Sequence, residues 1–267
     1  MEEKWNHNHQ KHASKTTQLL LTLRPREVLT SQRLRSLGVS QRLANYLIER
    51  GVLSSLGRGA YVRGKEIPHF TSALEAIIIQ LHLPIHLGGR TALNLLGVSQ
   101  YLTLTDGQIA CIVATQKTKL PHWFCSTQWS VKPTLIQTQF LDSGLGNTID
   151  LLTIDGFKVS VSCRERAILE AIYLIDKIHR FEEIDELFEN LHSLSPTLLQ
   201  TLLEGCSSIR VCRIFLYLAH KYDLPWVHKL DESRIALGQG KREIVKNGML
   251  DPRYLITVPR EERESDV

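Results

Sequence analysis

Residues 31–62 constrain this chain more than any other stretch. They read SQRLRSLGVSQRLANYLIERGVLSSLGRGAYV. Leu34 and Leu37 give a short first helix one apolar edge. Gly38 breaks it, and Ser40 is placed to cap the next helix by accepting a hydrogen bond from a first-turn amide. In that second helix Leu43 and Leu47 share a face, with Ala44 and Ile48 beside them. Arg42, Asn45, Tyr46 and Glu49 fall at i, i+3, i+4 and i+7 on the opposite face. Gly51 stops the helix. Residues 52–56 and 60–62 then read as two strands around Gly57-Arg58-Gly59. The order predicts a winged helix–turn–helix with Arg58 at the wing tip. One helix face docks on a core and the other enters a DNA groove. An ordinary surface helix and hairpin would also be polar outside. Here break, cap, polar face and basic turn follow one another in the order a DNA reader needs.

The charge distribution agrees. Residues 1–65 carry 12 Lys+Arg against 4 Asp+Glu, whereas the other 202 carry 20 against 24. Basic charge is therefore concentrated where the motif lies, as a phosphate-binding surface requires. A length of 267 residues suggests two domains. No apolar run approaches the roughly 20 residues that span a bilayer. The opening MEEKWNHNHQKH lacks the apolar core of a signal peptide. Five scattered cysteines, with no CxxC, fit reduced thiols better than a disulfide framework. A cytoplasmic protein is expected. His7, His9 and His12 are read as part of a solvated leader.

Residues 1–13 read as a flexible leader and 14–23 as the first helix of the DNA-binding unit, which spans 14–65. Glu27-Val28-Leu29 reads as a short strand. A larger domain of mixed strands and helices is expected over 66–259, followed by a charged tail at 260–267. The fold class is thus α+β. Within the larger domain, 70–83 reads as a helix with Ser72 as its candidate cap and Pro84 as its end. Residues 90–96 read as a short helix after a tight reversal at Gly88-Gly89. Strands are expected at 109–114, 129–132, 149–154 and 157–161, with Asp155-Gly156 as a two-residue hairpin turn. Ser162 is the candidate cap of a long helix over 164–178. Helices follow at 182–192, 196–204 and 208–222. Residues 242–245 and 254–258 read as strands flanking a turn at 246–253.

An active site does not emerge. HExxH, GxSxG and a supported Cys/His pair are all missing. Gly238-Gln-Gly240-Lys241 lacks the glycine spacing of a P-loop and reads as a basic turn. Asp150 or Asp155 with Glu165 could hold a divalent metal for phosphodiester hydrolysis. The following strand, however, has serines where Glu and Lys would be needed. Asp155 is explained by the hairpin, and Glu165 and Glu170 by the helix-start dipole and surface pairing. No catalytic residue, metal or cofactor is assigned. Two alternatives remain: an enzyme acting on nucleic acid with a winged-helix targeting module, and a repressor whose larger domain senses a ligand or partner.

Five motifs recur together in this chain. They are LGRGAYV at 56–62, LGGRTALNLLG at 87–97, LPHW at 120–123, VSCRERAILE at 161–170, and GQGKR at 238–242 continuing to MLDPRYLITVP at 249–259. In this order and spacing the chain resembles the AbiEi antitoxins, the regulator half of bacterial type IV toxin–antitoxin and abortive-infection systems. The resemblance runs from about residue 16 to 259. It implies an N-terminal domain that binds operator DNA and represses its own operon, and a C-terminal domain that carries antitoxin activity. It also implies a nucleotidyltransferase-like toxin, countered without need of a stable complex.

On this reading Arg42, Asn45 and Tyr46 face the major groove, where Arg suits guanine and Asn adenine. Ser40 and Gln41 sit at the helix start. Arg33, Arg35, Arg50, Arg58 and Arg63 hold the phosphate backbone. Arg90, Arg164, Arg166, Lys241 and Arg242 are the candidate antitoxin surface. The expected partners are operator DNA upstream of the operon and the toxin, with no membrane.

Overall fold

A computed structural model describes residues 21–98, 107–114, 117–142, 144–145 and 147–260. The expected leader, its histidines, residues 14–20 of the first helix and the tail beyond Arg260 lie outside the described residues. Leu21 and Thr22, at the end of that helix, are helical. The chain falls into two compact units. The first holds residues up to Ile85 with 118–131 and 151–159, and the second holds 86–117, 132–150 and the chain from 160 onward. No helix among the described residues is long and apolar enough to cross a membrane.

In the first unit, β1 (Leu29–Thr30) leads into α1 (Ser31–Ser36), α2 (Gln41–Glu49), β2 (Leu53–Gly57) and β3 (Ala60–Arg63). The three strands form an antiparallel sheet in the order β1-β3-β2. Leu29, Leu34, Val39, Leu43, Leu47, Leu53 and Tyr61 close into one buried cluster. The apolar edges read from the sequence therefore meet on a common core, where each large side chain contributes about 1.5–3 kcal/mol.

Next comes α3 (Phe70–Glu75), which loosens into a π-helical stretch at Ala76–Gln80. The expected helix to residue 83 stops early. His82 turns into the left-handed region (φ 54°) before Pro84, whose ring disfavours helical geometry in the residue ahead of it. Ser72 does not cap this helix. Its Oγ accepts from Val28 N at 2.6 Å. Gln80 accepts from Thr30 N at 2.9 Å and donates to Val28 O at 3.1 Å. Two side chains thereby satisfy the open edge of β1, as buried backbone groups require. A short helix, α5 (His122–Ser126), also belongs to this unit.

A five-stranded sheet is formed by β4 (Ile85–Leu87), β5 (Ile109–Ala114), β6 (Lys132–Gln137), β7 (Ile149–Ile154) and β8 (Phe157–Ser162), and α4 (Gly89–Leu95) follows β4. The sheet order is β6-β5-β4-β8-β7, with β5–β6 and β4–β8 parallel. Asp155 (φ 51°) and Gly156 (φ 80°) make the expected hairpin turn between β7 and β8. The strand expected at 129–132 lies instead at Lys132–Gln137 and runs through Pro133. Pro133 is tolerated because β6 is an edge strand, where a missing N–H breaks no ladder.

Helix α6 (Arg164–Tyr173) is buried along nearly its whole length and packs with α7 (Phe181–Phe188), α8 (Pro196–Glu204) and α9 (Ile209–Lys221). It ends sooner than expected, with Asp176 at φ 67° reversing the chain. Ser162 does not cap it: the N-cap is Cys163, with no side-chain bond. The C-terminal strands β9 (Arg242–Glu243), β10 (Met249–Asp251) and β11 (Ile256–Val258) form a sheet in the order β10-β11-β9. The two strands expected here, β9 and β11, are present, and they pair in parallel. Asp251 Oδ1 accepts from Tyr254 N at 2.6 Å and closes a β10–β11 hairpin inside the stretch read as a turn. That hairpin takes the antiparallel side of β11 and leaves β9 the parallel one.

Candidate nucleic-acid interface

Helices α1 and α2 of the first unit both start on a hydroxyl. Thr30 Oγ1 accepts from Arg33 N at 3.1 Å, and Ser40 Oγ accepts from Leu43 N at 3.2 Å. Each cap satisfies a donor the helix would otherwise leave open. Gly38 (φ 75°) and Gly51 (φ 69°) adopt the left-handed conformations that end α1 and α2. These signals set the ends of α2, and the packing of its apolar side on the core sets which face turns outward. Leu43, Ala44 and Leu47 are buried, while Gln41, Arg42, Asn45 and Glu49 are exposed. Gln41 Nε2 donates to Asn45 Oδ1 at 3.1 Å, bridging one helical turn of that face. Tyr46 departs from the expectation. It is half-buried against the core, with the Arg50 guanidinium 5.4 Å from its ring centroid.

Ser40, Arg33, Arg35, Arg50 and Arg58 are exposed, and Arg63 is half-buried. Among the described residues none of these five arginines forms an ion pair. Arg58 sits at the turn of the β2–β3 hairpin beside Gly59 (φ 88°). The hairpin is braced from behind. Gly57 approaches Trp123 of α5 so closely that a Cβ there would lie 3.0 Å from Trp123 Cβ. Phe124, Phe70 and Trp129 continue this contact as an aromatic cluster, with ring centroids 5.3–5.9 Å apart. None of this support is visible in residues 31–62.

A second feature of this unit went unseen in the sequence. Arg24 donates to Glu27 Oε1 at 3.3 Å and to both carboxylate oxygens of Glu75. It also donates to Gly156 O at 2.7 Å and lies 4.4 Å from the Phe157 ring centroid. Lys158 N donates to Glu75 Oε1 at 2.8 Å, and Thr71 Oγ1 donates to Asp155 Oδ2 at 3.2 Å. Burial opposes the Arg24 charge, but its bonds to Glu75 and Glu27 outweigh it and raise its pKa. This cluster holds the tip of the β7–β8 hairpin, residues 151–159 of the first unit, against Arg24, Thr71 and Glu75.

In the second unit the candidate residues separate. Lys241 and Arg242 are exposed. Arg164 is exposed and donates to Leu96 O at 2.8 Å. Arg90 pairs with Glu183 at 2.8 Å. Arg166 is not on the surface. It is 1% exposed, its Nε donates to Glu170 Oε1 at 2.9 Å, and its Nη1 donates to Thr148 Oγ1 at 3.1 Å. Glu170, expected in a surface pair, is also 1% exposed. It further engages His86 Nε2 at 2.9 Å, Ser162 Oγ at 2.8 Å and Gly89 N at 3.1 Å. Burial would raise its pKa, but His86, Arg166 and Ser162 outweigh that and hold it below the usual carboxylate range. A Cβ on Gly88 would overlap Glu170 Oε2 and lie 2.6 Å from Val113 Cγ2, so the Gly88-Gly89 reversal is the cradle of this carboxylate. Arg213, absent from the sequence reading, is also buried. It donates to Leu237 O at 2.7 Å and Gly240 O at 2.6 Å, holding the GQGKR turn from below.

The acids considered for hydrolysis have other work. Asp155 makes the hairpin turn, and Glu165 Oε1 accepts from Ser195 N at 2.7 Å. Among the described residues no three His, Cys, Asp or Glu side chains converge as metal ligands would.

Two family models match the chain. One, described as a transcriptional regulator, AbiEi antitoxin, of a type IV TA system, covers residues 108–259. The other, the AbiEi antitoxin N-terminal domain of a transcriptional regulator, covers residues 12–104. Among solved structures, that of the RV2827C protein from Mycobacterium tuberculosis is similar in fold. Its TM-score is 0.59 at 17% identity, over 92% of this chain and 90% of that one. No curated protein matches.

Proposed function

This chain belongs to the AbiEi family of antitoxins and transcriptional regulators of type IV toxin–antitoxin systems, and we propose that it represses its own operon by binding operator DNA and separately counters a nucleotidyltransferase-like toxin, with no reaction of its own. It would work in the cytoplasm. Arg42 and Asn45 on α2 read bases in the major groove, with Tyr46 supporting them from its half-buried place. Ser40 and Gln41 meet the backbone at the helix start. Arg33, Arg35, Arg50, Arg58 and Arg63 hold phosphates, Arg58 from the wing. Arg90, Arg164, Lys241 and Arg242 form the antitoxin face. The observation that carries this reading is the outward face of α2. A capped helix anchored by Leu43 and Leu47 presents Arg42 and Asn45 to solvent, flanked by arginines that have no acidic partner among the described residues.

A cell assay separates the two roles. The chain is expressed with its own upstream DNA driving a reporter, and separately with the adjacent toxin gene. Arg42→Ala is expected to relieve repression and keep toxin rescue. The double change Lys241→Ala and Arg242→Ala is expected to weaken rescue and keep repression. A wild-type chain that neither represses nor rescues would refute the proposal.

A further inference from the structure

The first unit contains an open cavity of about 400 Å³ beside α1. Gln32, Arg33 and Ser36 of α1 line it together with His82 and Lys158. Lys158 comes from the β7–β8 hairpin, far along the chain from the helix–turn–helix, and reaches this place because the Arg24–Glu75 cluster grips the hairpin tip. The charges are layered. Glu27 and Glu75 are buried at 4% and 7% exposure, and their oxygens are used by Arg24 and Lys158 N. Arg33, His82 and Lys158 are exposed. Among the described residues neither Arg33 nor Lys158 has an acidic partner. The acids of the lining are covered, and the cations Arg33 and Lys158 stand exposed at the open mouth.

We infer that this mouth is a second phosphate-binding surface of the DNA-binding unit, in which Lys158 joins Arg33 on the sugar–phosphate backbone flanking the base-reading site. In helix–turn–helix proteins the first helix crosses the backbone, so a cationic wall beside α1 extends that contact along the strand. The open shape suits a passing strand better than an enclosed small molecule. The inference rests on the DNA-binding reading above. It adds to that reading a residue of the later hairpin that no helix–turn–helix pattern contains. The backbone of Lys158, not its side chain, holds the Glu75 cluster, so replacing the side chain leaves that anchor in place.

The test is a binding titration of the full chain on its own upstream duplex and on an unrelated duplex, at several salt concentrations. Lys158→Gln and Lys158→Arg are compared with wild type, and Lys246→Gln serves as a surface control. A lost phosphate contact makes the log–log salt slope shallower by about 0.9, which is about threefold less affinity lost between about 50 and 200 mM salt. Lys158→Gln is expected to show this change equally on both duplexes, with sequence preference intact and Lys158→Arg close to wild type. An unchanged slope in Lys158→Gln, while wild type binds its duplex specifically, overturns this inference alone. Wild type that binds neither duplex overturns it together with the DNA-binding reading. Inorganic phosphate is tested against chloride at equal ionic strength. Displacement of DNA by phosphate that disappears in Lys158→Gln would mean a small-anion site and overturn the backbone assignment.

Discussion

Two sets of arginines, one from each unit, behave in opposite ways. In the first, Arg33, Arg35, Arg42 and Arg58 stand in solvent, and the core beneath them is apolar. In the second, Arg166 and Arg213 are turned inward, one onto Glu170 and the other onto the carbonyls of Leu237 and Gly240. An exposed cation without a partner contributes little to stability and remains available to an anion. A buried one is strongly tied to its partners, and removing either side leaves an uncompensated charge. Positive charge in a sequence therefore announces a binding surface only when the element carrying it has its apolar face elsewhere. Helix α2 meets that condition. Helix α6 beyond its exposed first residue, Arg164, does not, because residues 165–172 are buried.

The contrast fails first, if it fails, at Glu170. Glu170→Gln leaves Arg166 and His86 without their carboxylate and should lower unfolding free energy by about 3–5 kcal/mol in a denaturant titration. A loss below about 1 kcal/mol, the size typical of exposed ion pairs, would put Glu170 in that weaker class. Its depressed pKa sets the direction of the acid response. The stabilisation is fully present above the unfolded carboxylate pKa of about 4.3 and is lost as pH falls through the lower folded value. Acid unfolding of wild type should thus steepen below about pH 4, and Glu170→Gln should lack that component.

Gly88→Ala probes the same cradle by steric means. Gly88 has ordinary backbone geometry (φ −133°), so the effect is overlap with Glu170 and Val113 alone. It should cost about 1–3 kcal/mol, and an unchanged midpoint would show that the carboxylate shifts freely. On the other side of the comparison, Arg42→Ala should cost about 1–3 kcal/mol of affinity for specific DNA. Its stability should stay within about 0.5 kcal/mol of wild type. Ser40→Ala removes the α2 cap and should cost about 1 kcal/mol of stability, visible as a lower melting midpoint. A silent Ser40→Ala would show that packing alone holds the start of α2.

Legibility followed the range of the interactions. Residues 31–62 were readable because a glycine break, a serine cap and a helical apolar period are local signals, and Ser40, Leu43 and Leu47 use them locally. Ser72 and Ser162 carry the same signal at helix starts and do something else. One bonds Val28, 44 residues away, and the other bonds Glu170. Glu170 itself meets His86 across 84 residues, a pairing no local pattern encodes. Pro133 hid β6 because a proline argues against a strand until its edge position is known. Lys158 was silent because the long-range bonds of Arg24, Glu75 and Thr71 to the β7–β8 hairpin bring it to the cavity beside α1.

The most direct test of the account is a mobility-shift titration of purified protein on its own upstream DNA, with an unrelated duplex as competitor and Arg42→Ala and Glu170→Gln beside wild type. The account predicts salt-sensitive, specific binding by wild type. It predicts that the preference is lost in Arg42→Ala and retained by folded Glu170→Gln. Equal binding of both duplexes by wild type, or an Arg42→Ala protein that keeps its preference, would contradict it.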